Sequence, residues 1–233
     1  MVRKRLVAFI SAAAVCLVGT ALGPASALGL DPILFVHGFS GSSSNWSTMI
    51  GRFEKEGWPK SYLSAYTYNT SQSNKVDAEK EVKSHVESLL KATGASKVDI
   101  VAHSMGGLVA LDYLKRGGGA PHVRRLVLMG TPARGTWSAL LGLMTAPLGK
   151  GGRQLLPGSE FLRELDSTPL PPGPEVITLS GDRDWLAPPR TTRIRGARRV
   201  DVATGHSGFL VDEAVAETVE AILTAPDRPA VTL

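Results

Sequence analysis

Short apolar runs recur along the chain from about residue 29 onward, and segments with helical spacing separate them. Short runs rich in Val, Ile and Leu are typical of strands that are buried on both faces. We predict six strands, at residues 33–36, 62–66, 98–102, 123–129, 175–180 and 199–203. Strands of this kind, connected through helices, favour a mostly parallel sheet.

Helical spacing is clearest in residues 76–92, where Val82, Val86, Leu89 and Leu90 fall on one face of a helix. We predict two further helices, over residues 104–116 and from about 211 to 222. Helices that alternate with buried strands cover both faces of a sheet. The pattern therefore predicts a compact α/β fold with a mostly parallel central sheet of about six strands and helices on both faces.

Residues 135–174 interrupt this alternation. They are rich in Gly, Pro and Leu, and their apolar positions follow neither the spacing of a strand nor that of a helix. The segment is too apolar for a linker and too irregular for a strand. We predict an excursion over one end of the sheet, with short helices at about 138–146 and 159–166. Long connections in compact domains often form binding loops. A lid or cap, a pocket wall and simple packing all remain open interpretations.

The first residues have the composition of a targeting segment. Arg3, Lys4 and Arg5 precede an uncharged run over residues 6–22, and Ala25-Ser26-Ala27 follows it. This order is typical of a secretory signal peptide, so we expect residues 1–27 to be removed near Ala27 and the protein to be secreted. A permanent membrane anchor is the alternative, because the run approaches spanning length. The remainder, residues 28–233, is predicted to form one domain.

Charge and cysteine content narrow the classes of partner. The net charge is +5, and it falls to +2 without the three cations of the first residues. Because no polybasic tail remains, we expect no nucleic acid partner. The only cysteine lies at position 16, so an exported chain would fold without disulfides. Five arginines between residues 190 and 199 suggest either attraction to an anionic lipid surface or a solvated loop.

Polar residues that suit nucleophilic catalysis follow the predicted strands. Ser104 comes after one strand, Asp182 and Asp184 after another, and His206 after the last. Because the carboxyl ends of parallel strands meet at one edge of a sheet, these side chains are expected to lie together. A serine needs a base to remove its proton, and a histidine held by a carboxylate can act as that base. The spacing leaves the choice between the two aspartates open.

The surroundings of Ser104 fit a sharp turn between a strand and a helix. A nucleophile is exposed at such a turn only if the flanking residues are small, because the backbone there is strained and crowded. Ala102 precedes Ser104 by two positions, and Gly106 and Gly107 follow it. The alternative, a serine that merely caps a helix, would not require the acid and the histidine.

Three stretches together resemble the α/β-hydrolase superfamily: "VDIVAHSMGG", "ILFVHGFSG" and "TGHSGFL". The resemblance is strongest to small secreted bacterial lipases and esterases with an A-H-S-M-G nucleophile turn, in which Ala replaces the more common first Gly. It implies that Ser104 is the nucleophile and His206 the base. It also implies Asp184 rather than Asp182 as the acid, three residues after the glycine that ends the strand. Backbone N–H groups of Phe39 and Met105 would form the oxyanion hole.

The resemblance favours a triacylglycerol lipase that cleaves lipid esters through an acyl-enzyme. Its substrates would be lipids or other esters, either dissolved or at a lipid–water interface. A carboxylesterase for short soluble esters and an acyltransferase are alternatives with the same residues. A non-catalytic lipid-binding module is a further alternative, from a different class. Candidate side chains for an acyl pocket are Trp46, Leu143, Met144, Trp185 and Leu186. Ordinary packing explains each of these equally well.

No sequence pattern indicates a cofactor or a metal. The chain lacks an H-E-x-x-H motif and clustered acids with ligand spacing. We therefore expect neither group in the reaction. We also expect a monomer without a stable membrane anchor once the first 27 residues have been cleaved.

Overall fold

The computed structural model describes residues 30–138 and 149–227, and its centre is a six-stranded sheet. The strands are β1 Ile33–Val36, β2 Leu63–Tyr66, β3 Val98–His103, β4 Val123–Met129, β5 Glu175–Gly181 and β6 Arg198–Val202. Their order is β2-β1-β3-β4-β5-β6, and every neighbouring pair is parallel. The predicted parallel sheet of about six strands is confirmed.

Seven α-helices lie within the described ranges. They are α1 Ser47–Lys55, α2 Asn74–Asp77, α3 Lys83–Thr93, α4 Met105–Lys115, α5 Gly149–Arg153, α6 Glu160–Ser167 and α7 Glu213–Thr224. A π-helical turn, Ala78–Val82, joins α2 to α3, so the helix predicted over residues 76–92 is present with altered winding. The sequence pattern missed α1 and α5. The short helix predicted at 138–146 lies almost wholly outside the described residues.

The two faces of the sheet are covered by different helices because successive strand residues point to opposite sides. In β1, Ile33 and Phe35 pack with α1 and α7, whereas Leu34 and Val36 pack with α3 and α4. All four side chains are fully buried. Burial of each such side chain contributes roughly 1.5–3 kcal/mol, so both helical layers stabilise the sheet. Helices on both faces agree with the predicted fold class.

The predicted helix at 159–166 corresponds to α6, which packs on the side of α4. Ser159 caps it by accepting a hydrogen bond from the N–H of Leu162 at 3.3 Å. Phe161 and Leu165 are buried in the core layer that contains α4. This part of residues 135–174 therefore serves packing.

The arginine cluster lies partly on β6, the strand at one edge of the sheet. Arg198 forms an ion pair with Glu175 at 2.9 Å, and Arg199 donates to Asp201 at 2.8 Å. Charged side chains on an edge strand oppose pairing with another chain. Two of the five arginines thus have partners within the fold.

Asp77 lies at the end of α2, and its carboxylate is buried. Neither oxygen has a hydrogen-bond partner in the part of the chain that the structure describes. Burial, with a smaller contribution from Glu81, raises the pKa of Asp77 from 3.8 to about 6. The folded state therefore binds this proton more tightly than the unfolded state does.

This shift predicts a pH-dependent effect of the substitution Asp77→Asn. As pH rises from about 4 to 6, the unfolded chain loses the proton first, so the wild-type protein loses stability over that range. The variant has no carboxyl group at this position and does not lose this stability. It should therefore be more stable than the wild-type protein above pH 6, by on the order of 2 kcal/mol, but not at pH 4. Urea unfolding at pH 4 and pH 7 measures the difference.

The control for this prediction is Asp166→Asn, which changes an exposed carboxylate on α6. It should shift the free energy of unfolding by less than about 0.5 kcal/mol at either pH. An equal effect of Asp77→Asn at pH 4 and pH 7 would show that ionisation of Asp77 is not the cause.

Candidate active site

Ser104 occupies the joint between β3 and α4, at the carboxyl edge of the sheet. Its backbone has φ 55° and ψ −125°, a conformation that residues other than glycine rarely adopt. The N–H of Ser104 donates to the carbonyl of Met129 in β4 at 2.9 Å, which holds the turn against the sheet. Such strain typically persists at functional positions, where it exposes a side chain.

Two glycines allow α4 to approach the ends of β1 and β4. A Cβ atom on Gly106 would lie 2.2 Å from the carbonyl oxygen of His37. A Cβ atom on Gly107 would lie 1.9 Å from Oγ1 of Thr131. Both distances are far below van der Waals contact, so only glycine fits at these two positions without rearrangement. The small residues noted in the sequence are therefore required by packing.

Ser104, His206 and Asp184 form one chain of hydrogen bonds. Nε2 of His206 lies 3.0 Å from Oγ of Ser104, and Nδ1 of His206 lies 2.8 Å from Oδ2 of Asp184. Because an ionised carboxylate only accepts, it places the proton on Nδ1 and leaves Nε2 to accept from the serine hydroxyl. Asp184 is 2% exposed, and its other oxygen accepts the N–H of Ala187 at 2.8 Å.

Asp182 lies apart from this chain of hydrogen bonds. Its carboxylate is 60% exposed and pairs with the neighbouring Arg183. The structure thus brings Asp184, and not Asp182, to the histidine. This geometry agrees with the choice that the family resemblance implied.

The loop after β1 faces Ser104. The N–H of Gly41 donates to the carbonyl of Gly38 at 3.1 Å, closing a turn that contains Phe39. The next residue, Ser40, has φ 55°, and its N–H donates to Oγ1 of Thr70 at 3.1 Å. A Cβ atom on Gly38 would lie 2.9 Å from Cβ of Ser104, so the loop touches the strand–helix turn.

His37 supports this loop from beneath. Its Nδ1–H donates to the carbonyl of Gly38 at 2.8 Å, and its Nε2 accepts the N–H of Tyr68 at 3.2 Å. The Tyr68 hydroxyl donates to the His37 carbonyl at 2.9 Å, and the two rings stack. Burial lowers the pKa of His37, which favours the neutral form that this pairing requires. His37 therefore shapes the loop.

Phe39 and Met105 are the two residues whose N–H groups the family resemblance implied as oxyanion donors. Met105 is the first residue of α4, so its N–H has no acceptor within that helix. Phe39 lines the cavity beside Ser104. An N–H group from each residue can therefore be directed at an oxygen that lies beside the serine.

A cavity of about 460 Å³ opens above these residues. Its apolar lining consists of Phe39, Pro132, Leu155, Leu186, Ala187 and Leu210. Leu186, one of the predicted pocket residues, lines this cavity. Sequence reasoning missed Leu155 and Leu210, since neither stands out by spacing or composition.

Two of the other predicted pocket residues lie elsewhere. Trp46 is fully buried in the core, with its ring 5.1 Å from that of Phe35, so the pocket prediction for it is wrong. Trp185 is 63% exposed beside the cavity and does not line it. Leu143 and Met144 lie outside the described residues.

Within residues 30–138 and 149–227, no three His, Cys, Asp or Glu side chains lie together in a way that could hold a metal ion. In the same ranges, no helix is long and apolar enough to cross a bilayer.

A parallel sheet with a serine at a strained strand–helix turn, followed in the chain by the acid and the histidine, defines an α/β-hydrolase. Comparison with known protein families identifies a family within this class. The chain belongs to the class 2 lipases, whose model matches residues 30–214. It is therefore an ester hydrolase of the lipase and esterase group.

Solved structures of bacterial and fungal enzymes share this fold. The chain is similar to the mature form of Bacillus licheniformis lipase BlEst2, with a TM-score of 0.73 and 19% identity over 84% of this chain and 93% of that one. Esterase EaEST from Exiguobacterium antarcticum matches with a TM-score of 0.63 and 16% identity, covering 84% and 92%. Aspergillus fumigatus lipase B matches with a TM-score of 0.67 and 14% identity, over 84% of this chain and 53% of that one.

Proposed function

We propose that the protein is an exported triacylglycerol lipase with Ser104 as nucleophile, His206 as general base and acid, and Asp184 as the residue that orients His206. One observation carries the proposal. The hydrogen-bonded chain from Asp184 through His206 to Ser104 ends at the floor of a cavity with apolar walls. This geometry supplies a nucleophile and its base within hydrogen-bond distance, which acyl transfer requires.

In the first half of the reaction, Oγ of Ser104 attacks the ester carbonyl carbon while Nε2 of His206 takes the hydroxyl proton. The carbonyl electron pair moves onto oxygen, and the N–H groups of Phe39 and Met105 donate to this oxyanion. Donors of this type are worth roughly 3 kcal/mol each in the transition state. The oxyanion then expels the alkoxide, which leaves as an alcohol with the proton from His206.

In the second half, water attacks the acyl group on Ser104. His206 removes a proton from the water, a second tetrahedral oxyanion forms, and its collapse releases the carboxylic acid and returns the proton to Ser104. Asp184 stabilises the imidazolium in both halves because its carboxylate is buried and aimed at Nδ1. Acyl-enzyme hydrolysis thereby restores the free enzyme.

The surface around the cavity supports a lipid substrate. The three most exposed large apolar side chains of the described residues are Trp137, Trp185 and Val211, which we call the rim. Each rim residue is adjacent in sequence to one that lines the cavity. Ser138 donates to the carbonyl of Trp185 at 3.4 Å, which places the two tryptophan segments side by side. Indole rings favour the boundary between water and lipid.

Export is supported by the first 27 residues. They combine a cationic start, an uncharged apolar run and a small-residue cleavage motif ending at Ala27. An exported enzyme would meet insoluble esters outside the cell. Mass spectrometry of the secreted protein, giving the first residue of the mature chain, tests this part of the proposal.

The roles of the hydrogen-bonded residues are tested by substitution. Ser104→Ala should lower kcat on a p-nitrophenyl ester by about 10⁴-fold or more, since the nucleophile is lost. Asp184→Asn should lower it by about 10⁴-fold, because the amide no longer holds the proton on Nδ1. Asp182→Asn is the matched control and should change kcat less than about twofold, since this side chain is exposed. Circular dichroism checks that each variant is folded.

Full activity of Ser104→Ala would contradict the proposed nucleophile. A large loss in Asp182→Asn, with Asp184→Asn unaffected, would reverse the assignment of the acid. Activity that appears only with an alcohol acceptor would instead indicate an acyltransferase.

The rim predicts a difference between emulsified and soluble substrates. Replacing Trp137 and Trp185 together by serine should lower hydrolysis of emulsified triacylglycerol by about 30-fold, because each indole contributes about 1 kcal/mol to adsorption. The kcat/KM for a soluble short-chain ester should change less than about twofold. The double substitution by phenylalanine keeps the apolar rings and is the matched control.

Equal losses on both substrates would show that the two tryptophans serve folding or the reaction itself. No loss on either substrate, together with a preference for short soluble esters, would favour a carboxylesterase over a lipase.

A further inference from the structure

His103 ends β3 and immediately precedes the proposed nucleophile. Its side chain is 7% exposed, and its Nε2 lies 3.0 Å from the backbone carbonyl oxygen of His206. A carbonyl oxygen only accepts, so Nε2–H of His103 is the donor. The two imidazole rings are also in contact, with centroids 4.6 Å apart. The strand that carries Ser104 is thereby bonded to the backbone of the histidine that serves it.

The segment around His206 is held by several groups, and Thr204 bonds to both Gly205 and Asp212 within it. His206 lies in a turn in which the N–H of Gly208 donates to the carbonyl of Gly205 at 3.1 Å. Glycines at both ends give this turn more conformational freedom than other residues would. Asp184 holds the imidazole ring at Nδ1, but it does not hold the backbone from which the ring projects. His103 supplies the hydrogen bond on the backbone side.

The protonation state of His103 suits this task. Burial, and then the charge that His206 carries when protonated, lower the pKa of His103 to about 3. A neutral imidazole carries one N–H, and here it is placed on Nε2 by the carbonyl that accepts it. His103 therefore adds no positive charge beside His206 when that residue becomes an imidazolium during the reaction.

Neighbouring atoms limit the freedom of the His103 ring. Its Nδ1 would lie 3.3 Å from a Cβ atom on Gly38, so the ring also borders the loop that contains Phe39. The ring centroid of Phe209 lies 6.2 Å away on the side of the His206 turn. These contacts hold the ring in the position from which it donates to the His206 carbonyl.

We propose that His103 is a positioning residue whose Nε2–H hydrogen bond to the carbonyl of His206 fixes the imidazole of His206 relative to Oγ of Ser104. The inference rests on the proposed roles of Ser104 and His206. It assigns to His103 no contact with the reacting atoms. Its effect is geometric, because an error of about 1 Å between reacting groups can lower a rate by about 100-fold.

Three substitutions separate the donor from the shape of the side chain. His103→Gln places an amide N–H near the position of Nε2, whereas His103→Asn carries the same group on a side chain too short to reach. His103→Phe fills the site without a donor. We expect kcat on a soluble p-nitrophenyl ester to fall about 10-fold to 100-fold in the Asn and Phe variants and less than about threefold in the Gln variant.

The KM should stay within about twofold in the Gln and Asn variants, because they keep a polar side chain at position 103 and leave the apolar lining residues of the cavity unchanged. His122→Phe is the matched control, because this histidine is exposed. It should leave both kcat and KM as in the wild type. A spectroscopic signature accompanies the kinetics: the proton NMR signal of His206 Nδ1–H, bonded to Asp184, should broaden in the Asn and Phe variants and persist in the Gln variant.

Unchanged kcat in both His103→Asn and His103→Phe would overturn the inference. Equal losses in the Gln and Asn variants would overturn it too, because the reach of the donor would then be irrelevant. If His103→Phe does not fold, the Gln and Asn pair decides. Ser104→Ala distinguishes failure of the proposed function from failure of the role of His103. If that variant is active, the proposed function fails. If it is inactive while His103→Asn and His103→Phe keep full kcat, only the role of His103 fails.

Discussion

The close approach of α4 to the ends of β1 and β4 is the constraint on which the rest of the site depends. At Gly106 and Gly107 any side chain would collide with the carbonyl of His37 or with Thr131. Because the helix is seated this deeply, the chain must turn sharply at Ser104, and the turn adopts a strained backbone. The serine hydroxyl is thereby carried above the sheet, and the N–H of Met105 is left at the free start of a helix. Packing of the core and exposure of the hydroxyl are two consequences of one contact.

Neutral imidazoles organise the loops around that turn. His37 lies under the loop that contains Phe39 and bonds it to Tyr68, while His103 bonds the turn that contains His206. Burial lowers the pKa of both, so each acts as a fixed donor or acceptor rather than as a charge. The proton transfers of the proposed reaction are thus left to His206, whose ring is held between Asp184 and Ser104.

Sequence reasoning reached the sheet and the hydrogen-bonded residues because both leave local signals. Buried parallel strands are continuous apolar runs, and the polar residues that follow them must meet at one edge. Trp46 was misplaced because an indole in the core and an indole in a pocket look alike in sequence, and α1, which follows Trp46 directly, was not predicted. Leu155 and Leu210 reach the cavity from distant segments, so only tertiary structure brings them together. The choice of Asp184 over Asp182 needed a family resemblance, since two residues of spacing carry no physical preference.

Covalent labelling can decide whether Ser104 is the activated nucleophile. The purified protein is treated with a fluorophosphonate, and the modified residue is located by mass spectrometry of its peptides. We expect a single adduct on Ser104, formed in step with loss of ester hydrolysis. Ser40 is the other cavity-lining serine with a positive φ, and it should stay unmodified. An adduct on Ser40 instead, or full hydrolytic activity after Ser104 has been completely labelled, would show that Ser104 is not the nucleophile.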